Sequence, residues 1–312
     1  MLTVQDISYV IPDQREDIEP MRDKVGLSDA EMKVYTRIYG LKRVPVHHGP
    51  IEEMMRPAVR ALIERNDIDP ARVKYLVHCH TAQLTWPFMR SLPSEICRDA
   101  GLKNAVGFGM TASNCASTMV ALRSLESLLA VEKDDAALAI IVTADQAFSR
   151  TLRWIPNTTF CGDAAAALLL SREGSGAKLA ALRTNIFGQH SRGIWQRREE
   201  FSEFDRTYPE RLAEVMAQTL ADAGLAWSDI KVVFPHNVNL FSWQRVSKIL
   251  QLPFDRIFLD LLPETGHCFG ADMLFNWAVG RKRRQVARGD AVMVATAGIG
   301  AVFAAAIFVE GE

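Results

Sequence analysis

The chain has 312 residues, enough for one large domain or two ordinary ones, with 48% hydrophobic and 23% charged residues. Lysine and arginine number 36 against 37 aspartates and glutamates, a net charge of -1, so no global field favours nucleic acid or an anionic membrane. The opening MLTVQDISYVIPDQREDIEP turns acidic at Asp6 and lacks the basic start and apolar core of a secretory signal; a cytoplasmic protein is expected.

Taken in chain order, helical and strand patterns alternate. Residues 51–66, IEEMMRPAVRALIERN, carry apolar positions at helical spacing, and VKYLVHCHT (73–81) reads as a strand. A second helix is predicted over 117–130, STMVALRSLESLLA, followed by strands at 137–145 (ALAIIVTAD) and 164–171 (AAAALLLS). Further helices are predicted over 211–225 and 241–252, flanking a strand at 231–237 (KVVFPHN), and a last strand is expected at 290–298. The alternation predicts an α/β protein with largely parallel, buried sheets. Residues 291–309, AVMVATAGIGAVFAAAIFV, are uncharged and near the length of about 20 that spans a bilayer. Gly298 and Gly300 interrupt the run, and two buried strands joined by a glycine turn fit it better.

Two stretches echo each other. ALAIIVTADQA precedes CGDAAAALLL, and GDAVMVATAG precedes IGAVFAAAIF. The pattern predicts two related halves, 1–172 and 173–312, divided near EGSGAK (173–178). Their small residues predict close backbone packing.

The five cysteines, at 79, 97, 115, 161 and 268, are odd in number and widely spaced. A disulfide framework is not expected. Cys115 stands out, in TASNCAST between the glycines of GFGM and a predicted helix. Ser113 or Asn114 is the expected N-cap, which would set Cys115 in the first helical turn, where unpaired N–H groups favour a thiolate. On this stretch alone a buried small residue and a nucleophile are equal readings. A thiolate nucleophile needs a proton partner. His47 and His48 read as solvated, and His190 as part of a polar loop. His78 and His80 would share a strand face with no third metal ligand nearby, so no metal site is assigned. His236 ends a strand, and His267 follows a glycine in ETGHCFGAD. Both sit where an α/β protein gathers its active site.

TASNCAST, CGDAAAALLL, PHNVNLFSWQRV, TGHCFGAD and GDAVMVATAGIG together resemble, in order and over nearly the whole chain, the ketoacyl synthase III enzymes of the thiolase superfamily. The resemblance implies a five-layered αβαβα thiolase-like fold, two similar halves and an acyl-enzyme on Cys115. It implies that His236 is the family's catalytic histidine and Asn239 the asparagine of the same motif. It implies an oxyanion hole from the N–H groups of Cys115 and of Ile299, which lies between Gly298 and Gly300. Trp86 matches an aromatic that bounds the acyl pocket across a homodimer interface.

The sequence departs from the family at three places. His267 stands where an asparagine is usual, so His236 and His267 together would hold a malonyl thioester carbonyl for decarboxylative Claisen condensation. Asp272 replaces a small residue and marks a specialised acceptor side, so that an O- or N-acyltransferase is the alternative and a non-catalytic partner subunit a third reading. Val34 and Ile38 fill places where the family sets an arginine and a tryptophan around coenzyme A. The expected donor is therefore an acyl thioester on an acyl carrier protein rather than on coenzyme A, with no separate cofactor. Arg245 and Lys248 are the expected docking residues for that acidic carrier; RKRR (281–284), Arg192, Arg197 and Arg198 offer further basic surface, with a solvated helix face at least an equal reading for RKRR.

Overall fold

A computed structural model describes residues 2–82 and 89–311. Nine strands form the main sheet: β1 (Thr3–Val10), β2 (Val73–Cys79), β3 (Val106–Met110), β4 (Leu138–Asp145), β5 (Ala164–Ser171), β6 (Ala177–Ile186), β7 (Ile230–Pro235), β8 (Ala291–Gly298) and β9 (Val302–Val309). The larger helices are α1 (Glu52–Arg65), α2 (Leu92–Asp99), α3 (Ser117–Ala130), α4 (Arg198–Asp222), α5 (Leu240–Leu250) and α6 (Asp272–Arg283).

The strand order is β7-β8-β9-β6-β1-β5-β4-β2-β3. Only β2 with β3, β2 with β4, and β7 with β8 are parallel; the pairs between β4 and β8 are antiparallel. The expectation of largely parallel sheets is thus corrected. Residues 164–171 and 302–309 each return directly beside the strand before them, and a return of that kind runs antiparallel. The order β1-β5-β4-β2 is matched by β6-β9-β8-β7, with the same sense at each step. The two sets meet at β1 and β6 through Thr3 with Lys178 and Val4 with Ala177.

Helices fill three layers. α1 covers β1, β4 and β5, and α4 covers β6, β8 and β9. α3 touches β2 and β4 on one side and β6 and β9 on the other, while α6 touches β1 and β5 as well as β7 and β8. These two helices lie between the strand sets, which gives the αβαβα architecture. Side chains on a strand alternate between faces. Ala164, Ala166, Leu168 and Leu170 of β5 therefore join Ala304, Ala306 and Phe308 of β9 in one core around α3 and α6. Ala165, Ala167 and Leu169 join the core under α1. Alanine at the central positions leaves room for helices that are packed on two sides.

The run 291–309 is β8 and β9, an antiparallel pair with no exposed residue, and no helix among the described residues is long and apolar enough to cross a membrane. α4 begins at Arg198, well before the expected start at 211, and carries Pro209 within it.

The small-residue core gives a direct test. Replacing Ala166, wholly buried, by leucine should destabilise the protein by about 1–3 kcal/mol through overpacking, measured by chemical denaturation; a change within error would contradict the two-sided packing.

Candidate active site

Cys115, His236 and His267 meet at the carboxyl ends of the strands. Cys115 lies in a short turn, Asn114–Ala116, directly before α3 rather than in the first turn of α3 itself. Neither expected N-cap makes a side-chain cap hydrogen bond. Asn114 adopts φ +50°, a left-handed conformation that asparagine tolerates better than most residues. Its side-chain amide donates to the Ile299 carbonyl instead, tying the Cys115 turn to the β8–β9 turn. A Cβ on Gly298 would lie 2.2 Å from the Ser113 carbonyl oxygen, so glycine permits this approach.

His267 is pinned through its backbone. Its N–H donates to the Phe160 carbonyl at 3.0 Å, and its own carbonyl accepts from Gly162 N–H at 2.9 Å. Gly266 before it has φ +53°, and a Cβ there would lie 2.5 Å from the Phe160 oxygen. The imidazole then faces two partners: Nε2 is 3.3 Å from the Cys115 sulfur and Nδ1 is 2.5 Å from Asp272 Oδ2. Asp272 opens α6 and is wholly buried. It also accepts hydrogen bonds from the backbone N–H groups of Cys268 and Asn237, both at 2.6 Å. Burial opposes a charge on His267, but the Asp272 carboxylate and Cys115 outweigh it and raise the imidazole to about 10. The result is a Cys–His–Asp relay in which the base is held in one orientation by a fixed carboxylate.

His236 is built differently. It follows β7, donates from its backbone to the Ala295 carbonyl at 3.1 Å and accepts from Trp243 Nε1 at 2.9 Å. Burial, then the neighbouring His267, lower it to about 3, so its ring is neutral. Its ring lies 6.0 Å from that of His267, centroid to centroid. Nε2 is hydrogen-bonded to the Tyr208 hydroxyl at 2.5 Å, whereas Nδ1 is buried with no partner among the described residues.

Two cavities reach Cys115. A narrow one of about 40 Å³ is lined by Phe204, Tyr208, His236, Asn239 and His267. A wider one of about 630 Å³ is lined by Thr81, Phe148, Leu152, Trp195 and Phe269. Ile155 and Ile299 border both.

Several expected residues sit elsewhere or do other work. Asp272 does not face an acceptor: as the first residue of α6 it lies behind His267, whose ring separates it from the cavities. Asn239 caps α5, accepting from Ser242 N–H at 2.7 Å and donating to the Thr158 carbonyl at 3.0 Å, so its amide is already engaged. Trp86 lies outside the described residues. Arg245 on α5 contacts Glu210 at 3.4 Å and the Arg206 carbonyl at 3.1 Å, and Lys248 is exposed on the same helix. Within RKRR, Arg281 pairs with Glu310, and Arg283 and Arg284 with Asp260. His190, expected in a polar loop, is buried and bonded to Gln196. His78 and His80 stack at 4.5 Å, each bonded to a backbone carbonyl. Tyr208 was not visible in sequence, because the charged run before Pro209 hides the first half of α4.

With this geometry in hand, the chain can be set beside the known proteins it is similar to. Residues 220–309 match the family model of the 3-oxoacyl-[acyl-carrier-protein] synthase III C terminal. A β-ketoacyl-[acyl-carrier-protein] synthase III of Cereibacter sphaeroides is 27% identical over 78% of this chain and 79% of its own, and one of Roseobacter denitrificans is 27% identical over 78% and 77%. Among solved structures, the acyltransferase ChlB3 superposes with a TM-score of 0.86 at 19% identity, covering 99% of this chain and 97% of that one. The 3-oxoacyl-[acyl-carrier-protein] synthase III of Aquifex aeolicus superposes with a TM-score of 0.82 at 17% identity, covering 99% and 100%. The chain is thus similar in sequence to ketoacyl synthase III enzymes and shares the fold of the solved ones.

The relay predicts a pH signature. The folded-state pKa of His267 is raised above its ordinary 6.5 to about 10. The stability it lends is fully present below pH 6.5 and is lost as pH rises through about 10. Asp272→Asn should flatten that alkaline loss in thermal unfolding. It should also slow alkylation of Cys115 by iodoacetamide at pH 7, read by intact mass, since without the Asp272 carboxylate burial favours the neutral imidazole and removes the cation beside the thiol. Equal alkylation rates would remove Asp272 from the relay.

Proposed function

We propose that the protein forms an acyl thioester on Cys115 and passes the acyl group to a malonyl thioester in a decarboxylative Claisen condensation. The observation that carries this reading is that Cys115, His236 and His267 line one cavity, with the His267 imidazole 3.3 Å from the thiol. The chain is read as two thiolase-like halves, 1–172 and 173–312, an assignment supported by the matched strand order.

The steps follow from the residues. His267, charged beside Asp272, pairs with the Cys115 thiolate. The thiolate attacks the donor's thioester carbonyl, and the oxyanion is held by the N–H groups of Cys115 and Ile299. Gly298, Gly300 and Asn114 allow that turn its close approach. The donor thiol leaves with a proton from His267, and the acyl chain lies in the wider, largely apolar cavity. A malonyl thioester then enters the narrow cavity, loses carbon dioxide, and its enolate attacks the acyl carbonyl.

A second reading has one observation of its own. A carboxylate-oriented histidine beside a thioester is also what an alcohol or amine acceptor needs for deprotonation, so the His267–Asp272 pair favours O- or N-acyl transfer without decarboxylation. In both readings the activated carbonyl comes with the substrate, on a carrier-protein phosphopantetheine or coenzyme A. A carrier is favoured by Lys248, exposed on α5, and by Ile38 lying exposed where a family member would stack adenine. A homodimer in which Trp86 bounds the acyl pocket is part of the same reading.

Incubation with a panel of acyl-carrier and acyl-coenzyme A donors, followed by intact-mass measurement, tests the first step. A mass gain absent from Cys115→Ala is expected; no gain with any donor would leave only the partner-subunit reading. Release of carbon dioxide from malonyl-carrier by the acylated enzyme separates condensation from simple transfer.

Docking has its own check. Arg245→Glu with Lys248→Glu should raise KM for a carrier-bound donor and spare small thioester donors, because rim charges act mainly on association. Equal effects on both donors would sink the α5 docking face.

A further inference from the structure

The Cys115 sulfur has two hydrogen-bond partners among the described residues: His267 Nε2 at 3.3 Å and the Thr81 hydroxyl at 3.6 Å. Thr81 follows β2 and borders the wider cavity. Its backbone is held by Asp145, the buried last residue of β4. Asp145 Oδ1 accepts from Thr81 N–H at 2.8 Å and from Ala82 N–H at 3.2 Å. β2 and β4 are parallel neighbours, so both residues leave the sheet at the same end. Burial pushes the Asp145 carboxyl up to about 7, against the Thr81 and Ala82 N–H groups and the Thr81 hydroxyl, which favour its charge. The hydroxyl therefore has one proton and two claimants, the Cys115 sulfur and the Asp145 carboxylate.

Proton counting gives that hydroxyl a task. Acylation sends the His267 Nε2 proton out with the donor thiol. The neutral imidazole then keeps its remaining proton on Nδ1, against Asp272, and turns a lone pair toward the sulfur. In condensation the enolate carbon attacks the acyl carbonyl, a carbon–carbon bond forms, the carbon–sulfur bond breaks and its electron pair goes to sulfur. An enolate brings no proton, so the departing thiolate cannot draw one from His267; solvent restores that proton only afterwards. Thr81 O–H is then the donor left to the sulfur among the described residues. A hydroxyl rotates to suit its acceptor. Turned to Asp145 while the sulfur is a thioester, and to the sulfur as the thiolate forms, it favours the departing charge over the acyl-enzyme, and only such a difference speeds a step.

We propose that Thr81 is a catalytic residue of the second half-reaction, its hydroxyl donating a hydrogen bond to the Cys115 thiolate as it leaves, with Asp145 fixing the Thr81 backbone for that contact. This rests on the condensation reading. A thiol, alcohol or amine acceptor brings its own proton to His267, whose Nε2–H then serves the sulfur again. The need for Thr81 is therefore specific to a carbon nucleophile.

The test uses the full-length enzyme acylated on Cys115 and follows loss of the acyl mass, comparing wild type, Thr81→Val and Thr81→Ser. With malonyl-carrier as acceptor, Thr81→Val should lose its acyl group about tenfold more slowly than wild type, the worth of one hydrogen bond to a charged group. Thr81→Ser, which keeps the hydroxyl, should restore the rate. Acylation of Thr81→Val, and return of its acyl group to the free thiol N-acetylcysteamine, should stay within about threefold of wild type, because His267 supplies the sulfur with a proton in both. Loss to malonyl-carrier within twofold of wild type in Thr81→Val would overturn the role. So would equal slowing with malonyl-carrier and with the free thiol, or a Thr81→Ser rate no better than that of Thr81→Val, since either would make the side chain's shape its contribution. A wild-type enzyme that acylates but never passes its acyl group to malonyl-carrier would overturn the condensation reading and this role with it, an outcome distinct from a failure confined to Thr81.

Discussion

The hydrogen bond between His267 and Asp272 is the constraint around which the rest of the site is arranged. A carboxylate removed from water is expensive unless every lone pair is used. Asp272 meets this demand with two backbone N–H groups and an imidazole N–H, all drawn from segments that converge on it. Those donors come from the loop after β7 and from the segment that leads into α6. The carboxylate therefore joins the two chain segments that carry His236 and His267. It also keeps His267 charged against its own burial, which is what a thiol-based acyl carrier requires of its partner.

Architecture makes that arrangement available. α3 and α6, the helices that follow Cys115 and begin at Asp272, lie in the shared middle layer between the two strand sets. Elements covered on both sides must be slim, and alanines on β5 and β9 supply the room. With both helix starts facing the same end of the strands, the Cys115 turn, the β8–β9 turn and the His267 loop come together without any one of them being long. Gly298 and Gly266 mark the two places where backbones approach too closely for a side chain.

The two histidines, similar in sequence context, end with opposite chemistry. His267 has a carboxylate and a thiol as neighbours and stays charged; His236 has a phenol, an indole and a positively charged imidazole, and stays neutral. One faces sulfur through its Nε2, the other a phenolic hydroxyl. Burial is common to both, so it is the sign of the nearest charge that decides between them.

Much of this was legible along the chain. Periodicity located α1, α3, α5 and most of the sheet strands, because amphipathic and fully buried patterns are local properties of sequence. Small residues around Cys115 and the glycine before His267 marked both as chemical positions, and the ordered motifs identified the fold family. The antiparallel centre of the sheet was not legible, since apolar runs read alike in either direction. Nor were the partnerships: Asp272, five residues from His267, looked like an acceptor-side residue, and Asn239 like a supporting residue of the His236 motif. Only the packing of α6 behind His267 and of α5 over its cap decided their hydrogen bonds. Tyr208 belongs to a helix whose first half reads as a charged run, and it meets His236 because α4 folds across β8 and β9. Sequence by itself determined which elements form and singled out Cys115; tertiary structure decided which group each histidine faces, because charge state and orientation depend on neighbours distant in the chain.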